Sequence, residues 1–143
     1  MLKKILFADV ANNKGMYYTR EGLEKIKSDY EKDKENIGHY FGVFDPEESI
    51  PDFVHYGDSE IINIRKIAFT VESMQINKKN ELIADIRLME TTSGKALKQL
   101  KNHIVFRTSS WGFVSKHGKV VVERLISINA FPKDLDSFKE IGE

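Results

Sequence analysis

The chain has 143 residues, 41% of them hydrophobic and 31% charged, with 22 Lys plus Arg balancing 22 Asp plus Glu. That composition suits one globular domain, residues 1–143, with a single modest core. Zero formal charge argues against a broad nucleic-acid surface, and the absence of cysteine excludes disulfides, thiolate chemistry and Cys-based zinc sites.

In chain order, "MLKKILFADV" has too short an apolar segment for a signal peptide and reads as an edge strand. No stretch approaches the length of a membrane span, so a soluble protein made in a cytoplasm is expected. "ANNKGM" is a turn. "YYTREGLEKIKSDYEKDKEN" then predicts a helix, with Thr19 as its cap, Glu21 against the helix dipole, and Leu23, Ile26 and Tyr30 as its apolar stripe. The aromatic segment "IGHYFGVFDPEESIPDFVHYGDSE" is broken by prolines, glycines and acids. It predicts a long loop, or a strand with loops on either side.

The strongest β signal follows. "IRKIAFTVESMQI" and "ELIADIRLME" flank the turn "NKKN", and Leu82, Ala84, Ile86 and Leu88 alternate with polar residues, as in antiparallel strands with one packed face. "TTSGKALKQLKNH" predicts a short helix capped by Thr92 or Ser93, with Ala96, Leu97 and Leu100 buried. "IVFRTSS" and "GKVVVERLISINAF" read as strands joined through "WGFVSKH", and "PKDLDSFKEIGE" as a last short helix. The order implies an α+β domain built on an antiparallel β sheet or small barrel with two or three short helices.

Few motifs carry chemistry. Phosphate loops and dinucleotide fingerprints are absent, and His39, His55, His103 and His117 lack metal-ligand spacing, so neither metal nor cofactor is expected. "DPEES" lacks the glycine and distal glutamate of a calcium loop. Phe41, Phe44 and Phe53 in the aromatic loop, with Trp111 and Phe113 later, are candidate protein contacts as well as candidate core. Ser109 in "FRTSSWG" is the one candidate nucleophile, placed between a strand and Gly112. A serine hydroxyl needs a base within reach, a group to orient that base and donors for the oxyanion, and no G-x-S-x-G elbow surrounds this one.

Taken together, "NNKGMYYTREGLEKI", "ELIADIRLMETTSGKALKQL", "FRTSSWG" and "ERLISINAFPKDLDSF", over residues from about 10 to 135, resemble the prohead (capsid maturation) proteases of tailed bacteriophages. The likeness is to their T4-like branch in particular. These serine proteases share a fold with the herpesvirus assemblins, so the resemblance implies that fold. It matches Ser109 to the nucleophile, which the family carries in a Ser-Ser-Arg-Gly stretch. The family's catalytic histidine falls on Asp45 of "GVFDP", its acidic member on Asn129, and its arginine on Trp111. An ionised aspartate is a far weaker base than imidazole at neutral pH and cannot relay a proton between two ring nitrogens.

The resemblance therefore implies a protease fold without catalysis, in a virion or capsid-assembly protein. It would bind itself, the major capsid protein or scaffold proteins, and neither membrane nor nucleic acid. It would be located in the phage capsid after synthesis in the host cytoplasm. Two alternatives stand beside this. One is an active endopeptidase of capsid and scaffold proteins, using Ser109 with His39 or His55 as the base; the other is a host-directed binding protein on the same scaffold.

Overall fold

The computed structural model describes residues 1–44 and 66–138 and contains most of the predicted elements. Strand β1 is Leu2–Phe7. Helix α1 is Arg20–Ile37, starting directly after the expected cap Thr19. The reason is local: Thr19 is extended, its Oγ accepts the Gly22 N–H at 3.2 Å, and Tyr17 and Tyr18 form isolated bridges to Lys119 and Ala8. Leu23, Ile26 and Tyr30 are buried as expected, and Gly38 ends the helix in the left-handed region, its N–H bonding the Lys34 carbonyl.

Part of the aromatic segment is strand β2, Phe41–Phe44; residues 45–65 lie outside the described residues. Strands β3, Ile67–Ile76, and β4, Glu81–Leu88, form the expected hairpin. Its turn is held by Asn77, whose Oδ1 accepts the N–H groups of Lys79 and Glu81 at 3.0 and 2.9 Å.

Helix α2 is Thr92–Leu100. Its cap is Thr91, whose Oγ1 accepts the Gly94 N–H at 3.0 Å, and neither Thr92 nor Ser93 takes that role, because both already lie within the helix. Leu97 is buried, but Leu100 is 38% exposed, since the α-helix stops there and a 3-10 turn, Lys101–His103, swings the chain into the next strand. That strand, β5, is Ile104–Val114, and β6 is Val120–Pro132. "WGFVSKH" is thus mostly strand rather than connection: Trp111, Gly112, Phe113 and Val114 all pair with β6. The end of the described chain makes only a 3-10 turn, Lys133–Leu135.

The described strands form one sheet in the order β1-β4-β3-β2-β6-β5, with every neighbouring pair antiparallel except β2 and β6. The sheet curls into a half-barrel, so the fold is α+β with two helices, as the sequence implies. Its end strands β1 and β5 approach each other without backbone hydrogen bonds; instead Arg107 Nη1 on β5 donates to the Lys4 carbonyl on β1 at 3.1 Å. The core lies inside the curl, where Leu6, Leu23, Ile26, Phe69, Phe106 and Ile128 pack together. Tyr30 anchors α1 across it, its hydroxyl donating to the Val71 carbonyl at 2.7 Å, and burial, followed by the charge of Glu72, pushes its phenol up to about 12. No helix among the described residues is long and apolar enough to cross a membrane.

Candidate functional site

The β5–β6 hairpin carries the matched serine, and its register is set by two irregularities. Pairing begins with Val114 opposite Val120; continued evenly, it would set Leu125 opposite Ser109. One-residue shifts between Trp111 and Gly112 and between Ser109 and Ser110 place Glu123 and Ile126 as extra residues in β6. They bring Ser127 opposite Ser109 and Asn129 opposite Arg107. Bulges of this kind re-aim side chains without ending a strand.

The free edge of β6 beside this irregularity is satisfied by α1. Asp29 Oδ2 accepts the Leu125 N–H at 3.0 Å, while Oδ1 holds Lys25 Nζ at 2.8 Å and Arg124 lies 3.5 Å away. Burial would push this carboxyl up. The Lys25 and Leu125 hydrogen bonds, with the charges of Lys25 and Arg124, outweigh burial and hold it below its ordinary value.

Ser109 therefore sits mid-strand, 4% exposed, and not at a strand end. Asn129 Nδ2 donates to Ser109 Oγ at 3.2 Å and to Ser127 Oγ at 3.0 Å. An amide NH₂ only donates, so Asn129 occupies a lone pair of the serine oxygen through this bond and withdraws no proton from it. The matched Ser109 and Asn129 are thus brought into contact. Asp45, together with His55 and Phe53, lies outside the described residues, and β2 reaches Phe44, paired with Ala130 beside Asn129.

The described histidines stand apart from this pair. His39, His103 and His117 are exposed and none hydrogen-bonds Ser109. His39 packs on Phe41 with ring centroids 5.8 Å apart, and β6 lies between β2, the strand that follows it, and β5, a separation of about 10 Å across the sheet. His103 precedes Ser109 by six residues along the strand, roughly 20 Å. No group of three His, Cys, Asp or Glu among the described residues could hold a metal ion.

The candidate contact aromatics divide by environment. Phe44 is a core side chain, Phe41 and Trp111 are half-buried, and Phe113 is 48% exposed. Thr108 Oγ1, Ser110 Oγ and Trp111 Nε1 are buried without hydrogen-bond partners among the described residues.

Two buried charges next to the serine strand escape a reading by sequence pattern. Arg107, 1% exposed, pairs with Asp136 through Nε to Oδ1 at 3.1 Å and Nη2 to Oδ2 at 2.8 Å. The rings of Phe7 and Phe138 lie 5.5 and 5.6 Å from its guanidinium carbon. This pair fastens the segment after β6 across the seam between β1 and β5. The available signal was an arginine inside the apolar run "IVFRTSS", a position that requires a partner if buried.

The fold is similar to that of a solved phage protein. The capsid assembly protease gp21 of bacteriophage T4 superimposes with a TM-score of 0.63 and 18% identity, over 92% of this chain and 80% of that one. No protein-family model and no curated protein matches the sequence. The half-barrel is similar to that of a phage capsid-assembly protease, and at this identity the similarity is one of fold.

Proposed function

We propose that the chain is a prohead protease-like phage protein without catalysis, acting as a structural piece in capsid or virion assembly. In this reading it binds copies of itself, the major capsid protein or scaffold proteins, and is carried in the particle.

The observation that carries the reading is the hydrogen bond from Asn129 to Ser109 in the middle of β5. The matched acidic position holds an amide that serves the serine as a donor. In the sequence match the histidine position is Asp45, a poor general base at neutral pH. The fold likeness to a capsid assembly protease supplies the capsid context.

The test is to incubate the purified protein, and its Ser109→Ala variant, with the capsid and scaffold proteins of its phage. Unchanged substrates with both proteins are expected, together with the intact chain in purified particles by mass spectrometry. Cleavage lost in Ser109→Ala would overturn the reading in favour of an active endopeptidase using His39 or His55. Absence from proheads and mature particles alike would overturn the structural role.

A further inference from the structure

A second site lies away from Ser109, at the end of the half-barrel where β1 and β5 begin. A cavity of about 320 Å³ opens there beneath α2, lined by Leu88, Leu97, Ile104 and Phe106, with Lys3 and Lys98 among its walls. Lys3 faces inward. It pairs with Ala84, a fully buried core residue, and directly paired residues project to the same face of a sheet. Neither Lys3 nor Lys98 forms an ion pair among the described residues.

Each lysine has a local role. An inward charge on an edge strand discourages edge-to-edge aggregation, and Lys98 complements the dipole at the end of α2. Neither role accounts for the apolar cavity that the two cations share.

The neighbouring backbone favours a peptide as the occupant. The Met1 carbonyl accepts the Ile86 N–H from β4 at 2.8 Å, while the Lys4 carbonyl accepts Arg107 from the opposite side. By strand alternation, the N–H and C=O of Leu2 project to the edge of β1 away from β4. An added strand there would bond to Leu2 and aim the side chain set opposite Lys3 into the cavity. The cavity is at the lower end of ligand-pocket volumes, a size suited to one bulky side chain.

We propose that this edge and cavity bind an extended acidic peptide segment, with one aliphatic or aromatic side chain inserted and its flanking carboxylates on Lys3 and Lys98. The site is independent of Ser109 and of the reading above.

The probe is fluorescein-labelled Glu-Glu-Leu-Glu-Leu-Glu-Glu, titrated against the intact protein by anisotropy and by amide NMR shifts. Controls replace both Leu by Ser or every Glu by Lys, and a further arm uses dodecanoate. Binding is expected for the acidic leucine peptide alone, with shifts at Leu2, Lys3, Leu97 and Ile104. The charge reversal Lys3→Glu/Lys98→Glu, on side chains with no ion pair to lose, should weaken it by about tenfold or more and transfer preference to the lysine peptide. Equal binding of the serine control, affinity unchanged by the reversal, or shifts confined to other surfaces would overturn the proposal. So would binding of dodecanoate without the peptide.

Discussion

Removing one member of the Arg107–Asp136 pair gives the sharpest test of how this fold is closed. Arg107 makes two bonds to Asp136 and one each to the carbonyls of Lys4 and Phe106, and its guanidinium sits against both the Phe7 and Phe138 rings, which also contact each other. In Arg107→Met the Asp136 carboxylate, 3% exposed, keeps the Phe138 N–H at 3.2 Å but loses its countercharge. Breaking a buried pair from one side costs about 3–5 kcal/mol, chiefly because the other charge is left uncompensated. With a urea slope of about 2 kcal/mol/M, the midpoint should fall by about 2 M. In Arg107→Met/Asp136→Leu no charge is left stranded, so the double variant should be more stable than either single one. Urea titrations of all four proteins, followed by circular dichroism, measure this coupling. If Arg107→Met costs less than about 1 kcal/mol, or the two losses simply add, the pair is not what holds the seam and the reasoning fails.

Three further outcomes test other parts of the structure. The Asp29 carboxyl is held below its ordinary value in the folded state, so its contribution is present above the unfolded pKa and is lost as pH falls through the lower folded one. Asp29→Asn should therefore be clearly less stable than the parent at pH 7, and urea midpoints should converge as pH drops below about 4. Thr108→Val removes a buried hydroxyl without a partner among the described residues and supplies a good strand former; it should be neutral or stabilising by up to about 1 kcal/mol in thermal melts. Gly94→Ala would drive its Cβ into the backbone carbonyls of Met89 and Ala68, which cannot rotate aside, and should cost about 3 kcal/mol or reduce the soluble yield.

What could be read from the sequence depended on how locally each element is determined. The β3–β4 hairpin announces itself because its alternation and the Asn77 turn are contained within a few residues, and Thr19 announces α1 through its own side chain. The length of β5 was hidden. Ser109, Ser110 and Gly112 look like turn residues, and only pairing with a bulged β6 makes them strand. The two shifts also explain why spacing alone could not bring Ser127 and Asn129 to Ser109: an even hairpin would have offered Leu125. The Arg107–Asp136 pair spans 29 positions, and the N-cap of α2 fell on Thr91, one residue ahead of its expected place. For the candidate site, the family resemblance pointed to Ser109 and Asn129, which the structure brings into contact, whereas the local sequence offered Ser109 only as a candidate nucleophile between a strand and Gly112.

The Ser109–Ser127–Asn129 group has a structural role of its own. Its three polar side chains lie on adjacent positions of β5 and β6, with Ser109 and Asn129 buried. A buried amide whose two N–H bonds both find hydroxyl oxygens is cheap to keep; removing either acceptor leaves a donor to be desolvated for nothing in return. Ser109 is one of those acceptors, so Asn129 itself gives the fold a use for the hydroxyl. A carboxylate at 129 would invert the arrangement, accepting from both serines and offering an acid to orient an imidazole. The amide instead donates to both hydroxyls and ties these three positions of β5 and β6 together. The Ser109 hydroxyl thus has a structural role through its neighbour on β6.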